Sequence, residues 1–293
     1  MKTLLAGWFS FEQMGATAGD LLVRDLAGEW MRRAGVLYDV AVAPPFSGGV
    51  DWRSIDPAGY GRVVFVCGPF GNGWPVTDFL ERFRHCKLAG LNLSMLQPTD
   101  VWNPFDLLLE RDSSAAARAD LVFGTNQGRV PVVGVVLVHP QNEYKAALHD
   151  VANTAIRRLC DAHEAAIVNI DTRLDENSTG LRSPAEVETL VARMDLVLTT
   201  RLHGLVLALK NGVPAVAIDP IAGGAKIVRQ AQTLGWPLVF TADRLDDREL
   251  ENAFNHCLTD AARSEARACA ERGARAANEV GGLFINWLGN AKE

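Results

Sequence analysis

Much that would assign a function at once is missing from this chain of 293 residues. Its five cysteines, Cys67, Cys86, Cys160, Cys257 and Cys269, are odd in number, far apart and free of any Cys-x-x-Cys pair. That excludes a disulfide framework and a zinc ribbon, and it predicts reduced, buried thiols in a reducing compartment. Basic residues are scarce: 29 Lys and Arg stand against 35 Asp and Glu, for a net charge of −6 and a pI near 5.6. A nucleic-acid binder would need a clustered basic footprint, so that class is set aside. No uninterrupted apolar segment approaches the roughly 20 residues that span a bilayer, so no transmembrane segment is expected. The amino terminus offers one lysine, Lys2, and a short apolar run broken by Gly7 and Glu12. That makes a poor secretory leader, and the expected location is cytoplasmic. Short-period repeats and low-complexity linkers are also absent.

What is present is a large apolar fraction, 48%, in a chain long enough for two domains of ordinary size. Short β-branched runs alternate with helix-like segments, which predicts an α/β fold with parallel sheets. The informative stretch runs from Asp195 to Gly235. Leu196 to Leu198 is too short for a helix and reads as a buried strand. Leu202 to Lys210 reads as a helix closed by Asn211-Gly212, residues that tolerate the left-handed conformation. Ala215 to Ile218 is a second buried strand, and a loop from Asp219 to Gly224 opens a further helix. Arg201 and His203 thus fall where a strand ends and a helix begins, and Asp219 and Lys226 fall at the next such junction. Ligands bind outside the carboxyl ends of strands in open α/β sheets, and helix amino ends present unpaired N–H groups that suit anions. Taken singly, Arg201 could cap a carbonyl and His203 could be a core histidine; together they describe an anion site.

The first half is less explicit. Lys2 to Gly7 predicts a strand, and Leu21, Leu22, Leu26 and Trp30 predict a helix, which leaves Gly15, Gly19 and Asp20 in the loop between. Val63 to Cys67 predicts a strand that runs into Gly68-Pro-Phe-Gly71-Asn-Gly73, either a ligand-approach loop or a tight turn. Residues 124–129 are polar and glycine-bearing, and the expected domains are 1–128 and 129–293. Val130 to Val138 predicts the first strand of the second domain, with His139 at its carboxyl end as a second candidate site histidine. Ser183-Pro-Ala-Glu186 is a good helix start. Phe284, Ile285, Trp287 and Leu288 cluster near the end of a helical tail.

The run Asp-Leu-Val-Leu-Thr-Thr-Arg201-Leu-His203-Gly204, followed by Gly-Val-Pro-Ala-Val-Ala-Ile-Asp219 and a downstream lysine, resembles the polysaccharide pyruvyl transferase family. The resemblance implies two Rossmann-like domains in a GT-B-like arrangement, with the apolar cluster of the terminal helix either crossing back to the first domain or forming an ordinary packing face. It implies transfer of a pyruvyl group from phosphoenolpyruvate to a sugar or lipid-linked glycan as a ketal, in building surface polysaccharide, with no cofactor. Arg201, Lys226 and Gly204 are then expected among the substrate-binding residues and His203 as either general acid or phosphate ligand, while His139, read from its place at a strand's carboxyl end, is either a further substrate-binding residue or a plain loop residue. Gly68, Gly71 and Gly73 occupy the place of the family's glycine-rich turn, although Cys67, Pro69 and Phe70 depart from its pattern. Gly15 to Asp20 matches the family's first turn in position; Asp20 is then either a helix cap or the base for the acceptor hydroxyl. The segment from Leu107 through Arg111-Asp112 to Ser113 and Ser114 looks like the family's strand followed by a short helix. Two other readings remain open: a GT-B-type glycosyltransferase, metal-independent because no Asp-x-Asp occurs, or a member that binds a metabolite without turnover.

Overall fold

Apolar, β-branched runs bounded by turn residues become parallel strands in both halves of the chain. The computed structural model describes residues 1–112, 117–139 and 148–290. It divides into two units, Met1–Gln127 and Gly128–Glu293, each an α/β layer structure of the Rossmann-like kind.

The first unit contains β1 (Lys2–Gly7), α1 (Ala18–Arg33), β2 (Tyr38–Val40), β3 (Tyr60–Val66), β4 (Pro69–Phe70), α2 (Val76–Arg82), β5 (Lys87–Met95) and β6 (Leu107–Glu110). All the strands pair in parallel in the order β2-β1-β3-β5-β4, with β6 alongside β5. The core is aromatic. Phe11, Trp52, Phe65, Phe70, Phe79 and Phe83 are buried, and Phe65 and Phe70 meet edge to face at 4.8 Å between centroids.

Two expectations for this unit need correction. Helix α1 starts at Ala18, so Gly19 and Asp20 lie in its first turn and not in a loop. The reason is a capping box: Thr17 accepts from the Asp20 N–H, and the Asp20 carboxylate accepts from the Thr17 N–H at 2.6 Å. The stretch from Gly68 to Gly73 is also no open loop, because β4 lies inside it and buries Phe70 completely. Gly68 has φ +77°, and a Cβ there would come within 2.2 Å of the Trp8 indole, whose Nε1 donates to the Pro69 carbonyl. A Cβ on Gly71 would meet Leu96, whereas Gly73 faces open space. The helix start expected at Ser113 and Ser114 lies outside the described residues.

The second unit contains β7 (Val132–Val136), α3 (His149–Asp161), β8 (Ala166–Asn169), α4 (Pro184–Val191), β9 (Leu196–Thr199), α5 (Leu202–Lys210), β10 (Ala215–Asp219), α6 (Lys226–Leu234), β11 (Val239–Thr241), α7 (Asp247–Cys257) and α8 (Asp260–Asn290). Its parallel sheet has the order β11-β10-β9-β7-β8. The chain leaves β7 in one direction to form β8 and returns to place β9 on the other side of β7. That reversal creates a topological switch point between β7 and β9, the place where such sheets bind ligands. The core here is aliphatic, built on Val133, Ile156, Leu196, Leu198, Leu205 and Ile218. The first part of α8 is fastened to this unit: Arg263 donates to the Asp195 carboxylate at 2.7 Å and Arg272 to the Leu234 carbonyl at 2.7 Å. Farther along α8, Phe284, Ile285, Trp287 and Leu288 are all exposed.

Candidate functional site

At the carboxyl ends of β9 and β10 lies a cavity of about 250 Å3 whose lining includes Thr200, Arg201, His203, Asp219 and Lys226. The local sequence explains the gathering. β9 ends at Thr199, whose buried hydroxyl accepts from the Arg201 N–H at 2.9 Å and donates to the Val136 carbonyl at 2.9 Å. Helix α5 therefore starts immediately, with Arg201 in its N-cap position. Arg201 makes no side-chain cap, so the first-turn amides of α5 receive no side-chain partner from it. Those amides carry the positive end of the helix dipole. Arg201 is largely buried, with 16% of its side chain exposed, and His203 is exposed.

The equivalent junction after β10 is different. Asp219 is fully buried, and its carboxylate accepts from the N–H groups of Ile221 (3.1 Å), Ala225 (2.7 Å), Ile227 (3.1 Å) and Val228 (3.2 Å). The expectation that both helix amino ends serve an incoming anion is corrected on this point. An aspartate already occupies the amino end of α6, and α6 contributes Lys226 to the cavity.

His139 joins the neighbourhood through a residue that the sequence reading left unassigned, Asp171. It follows β8 and is 4% exposed. One carboxylate oxygen accepts from Arg201 Nη1 at 3.3 Å, and the other lies 3.2 Å from His139 Nε2. Burial pushes the Asp171 carboxyl up. The backbone N–H groups of Arg173 and Ser178, with His139 and the Ser178 hydroxyl, outweigh that and hold it below the ordinary carboxylate value. Burial draws the Arg201 guanidinium below its ordinary value, and Asp171 opposes that shift. The end of β7 is pinned beside β9 by Thr200, which accepts from the Val138 N–H at 2.8 Å and donates to Asn153 at 2.8 Å. Asn153 in turn donates to the Val138 carbonyl at 3.2 Å. An adjoining cavity of about 400 Å3 is lined by His139, Asn153, Arg157, Asp171 and Ser178.

Gly204, expected to touch substrate, is buried against the sheet. A Cβ on it would come within 2.2 Å of the Thr199 hydroxyl and 3.0 Å of Val136, so this glycine sets how closely α5 approaches β7 and β9. Asp20, Gly68, Gly71 and Gly73 belong to the first unit, where capping and packing account for all but Gly73. The arginine of that unit's Arg-Asp pair, Arg111, is already engaged by Asp120 at 2.9 Å, Ser94 at 2.9 Å and Asp112 at 3.3 Å. A wider depression of about 860 Å3 beside α3 and α7 has its Arg158 paired with Asp247. No described helix is long and apolar enough to cross a membrane.

Set beside known proteins, the chain has distant likenesses and one local match. No curated protein matches it. Among solved structures it is similar to CalG4, the calicheamicin glycosyltransferase, at 14% identity over 96% of this chain and 98% of that one, with a TM-score of 0.33. It is also similar to the spinosyn rhamnosyltransferase SpnG complexed with spinosyn aglycone, at 12% identity over 93% and 96% of the two chains, with a TM-score of 0.33. MurG of Acinetobacter baumannii gives 9% identity over 92% and 94%, with a TM-score of 0.32. Likenesses this distant bear on neither the site nor the reaction. Residues 135–220, which carry His139, Asp171, Arg201 and His203, match the polysaccharide pyruvyl transferase family model.

Proposed function

We propose that this protein transfers the pyruvyl group of phosphoenolpyruvate to a sugar of a surface polysaccharide or its lipid-linked precursor, forming a ketal. The observation that carries the reading is the amino end of α5, left without a side-chain cap and framed by Arg201, His203 and Lys226, within or next to the segment that matches the family. Phosphoenolpyruvate has two anionic groups. The Arg201 guanidinium suits the planar carboxylate, and the α5 amides with the Lys226 ammonium suit the phosphate.

Ketal formation joins two acceptor hydroxyls to C2, converts the methylene carbon to a methyl group and releases phosphate. One hydroxyl proton is accounted for at the methyl carbon and the other on the phosphate. In this reading His203, an exposed residue of the cavity lining, delivers the first of these protons or holds the phosphate. With Asp20 committed to its capping box, the base for the acceptor hydroxyl is left open.

The test is a thermal-shift panel of the purified protein with phosphoenolpyruvate, UDP, GDP and CMP, repeated with Arg201→Ala. A ligand at about 100 times its dissociation constant stabilises the native state by about 2.7 kcal/mol, which raises the melting temperature measurably. The expected result is a rise with phosphoenolpyruvate alone that disappears in the variant. A rise with a nucleotide and none with phosphoenolpyruvate would replace this reading with nucleotide-sugar transfer.

A further inference from the structure

The proposed chemistry leaves Asp171 without a task, yet its surroundings are built around it. It enters from the end of β8, on the far side of β7 from β9, and still reaches the arginine that follows β9. Its base is fixed by the backbone: Arg173 N–H donates at 2.9 Å to the oxygen that holds Arg201, and Ser178 N–H donates at 3.2 Å to the oxygen that faces His139. The Ser178 hydroxyl adds a donor to that second oxygen at 3.1 Å. Each carboxylate oxygen therefore has a backbone anchor and one arm, Arg201 on one side of the switch point and His139 on the other.

An ionised carboxylate only accepts hydrogen bonds. The His139 nitrogen facing it must then carry the proton, which leaves Nδ1 of a neutral imidazole as the bare acceptor. On the other arm, the bond through Nη1 fixes the plane in which the rest of the Arg201 fork lies. We infer that Asp171 is a positioning residue: it sets the plane of Arg201 and the tautomer of His139 together, so that groups from both sides of the switch point act as one binding surface.

The alternative is that Asp171 merely neutralises a buried guanidinium. The two roles predict opposite signs. A simple countercharge opposes an incoming anion, so removing it strengthens anion binding; removing a positioning group weakens it. Asp171→Asn separates them, because an amide offers one acceptor and one donor and cannot receive both arms.

Two measurements are made on the full chain. The first is imidazole 15N NMR at about pH 8, where an ordinary histidine is neutral, with the His139 signals identified by their loss in His139→Gln. The expected result is the Nε2–H tautomer in the wild type and a mixed population in Asp171→Asn. The second is calorimetric titration with phosphoenolpyruvate, which rests on the function proposed above. Asp171→Asn should bind at least about tenfold more weakly, with a smaller further loss, through His139 alone, when it is added to Arg201→Ala. An Nδ1–H tautomer in the wild type, or affinity in Asp171→Asn equal to or above wild type, would overturn the inference. If the wild type fails to bind phosphoenolpyruvate, the functional proposal falls while the tautomer still decides the role of Asp171, as it also does if the Asn variant does not fold.

Discussion

The two units share a strand plan and differ in what they leave unsatisfied. In each, the first strand is flanked by the second on one side and the third on the other, so each has a switch point at the carboxyl end of its sheet. In the first unit the arginine and aspartates singled out near that end are committed among the described residues: Arg111 to Asp120, Ser94 and Asp112, and Asp20 to Thr17. In the second unit α5 begins without a side-chain cap, under a largely buried arginine and an exposed histidine. Residue types alone would not separate the two ends, since both offer arginine, aspartate and glycine. The difference lies in which donors remain available once local structure has taken its share.

The largest expected effect that sharpens the contrast is on stability. Phe70→Ala, in the aromatic core of the first unit, should lower unfolding free energy by about 3–5 kcal/mol in urea titrations. Phosphoenolpyruvate affinity, measured where the variant is folded, should be unchanged; a parallel loss of affinity would tie the glycine stretch of the first unit to the ligand. Next, Arg201→Ala should weaken phosphoenolpyruvate binding about 10- to 100-fold by calorimetry, in line with about 1.5–3 kcal/mol for hydrogen bonds to charged groups. Asp20→Ala should cost about 1 kcal/mol of stability, as loss of a helix cap does, with ligand affinity intact. If affinity falls and stability holds, the assignment of the two ends is reversed and Asp20 acts on substrate.

The smallest effect is a pH dependence. The Asp171 carboxyl lies below its ordinary value in the folded protein, so the unfolded chain binds its proton more readily. Its contribution to stability is complete above the unfolded carboxylate pKa, about 3.9, and fades as pH falls through the lower folded value. Urea midpoints measured at pH 7 and at pH 3 should therefore differ less in Asp171→Asn than in the wild type. An equal difference would mean that Asp171 is not held in its ionised form by folding.

How far the sequence led depended on the distance over which a residue's partners lie. Helix α5 was legible to its ends because its signals are local: a strand terminus before Arg201 and Asn211-Gly212 after Lys210. The start of α4 at Pro184 was equally plain, with Ser183 accepting from the Glu186 N–H. β4 was missed because a two-residue strand has no periodicity, and the glycines around it suggested a loop. Asp171 was missed because one acid at the head of a polar segment is unremarkable until folding brings Arg201 and His139 to it from 30 and 32 residues away. Asp219 carried a real signal, an acid at a strand-to-helix junction, but sequence does not say whether such an acid faces a ligand or turns back onto the helix. Its complete burial decides for the helix.

Gly204 has a consequence for the energetics of recognition. With no side chain between it and Thr199, the first turn of α5 lies directly on β7 and β9, and the backbone there has little freedom left to lose. An arriving anion would meet N–H groups already aimed, and the disorder surrendered on binding would be limited to the rotamers of a few long side chains, about 0.5–1.5 kcal/mol for each one immobilised. A residue with no side chain of its own would thus govern how much of the interaction energy survives as affinity.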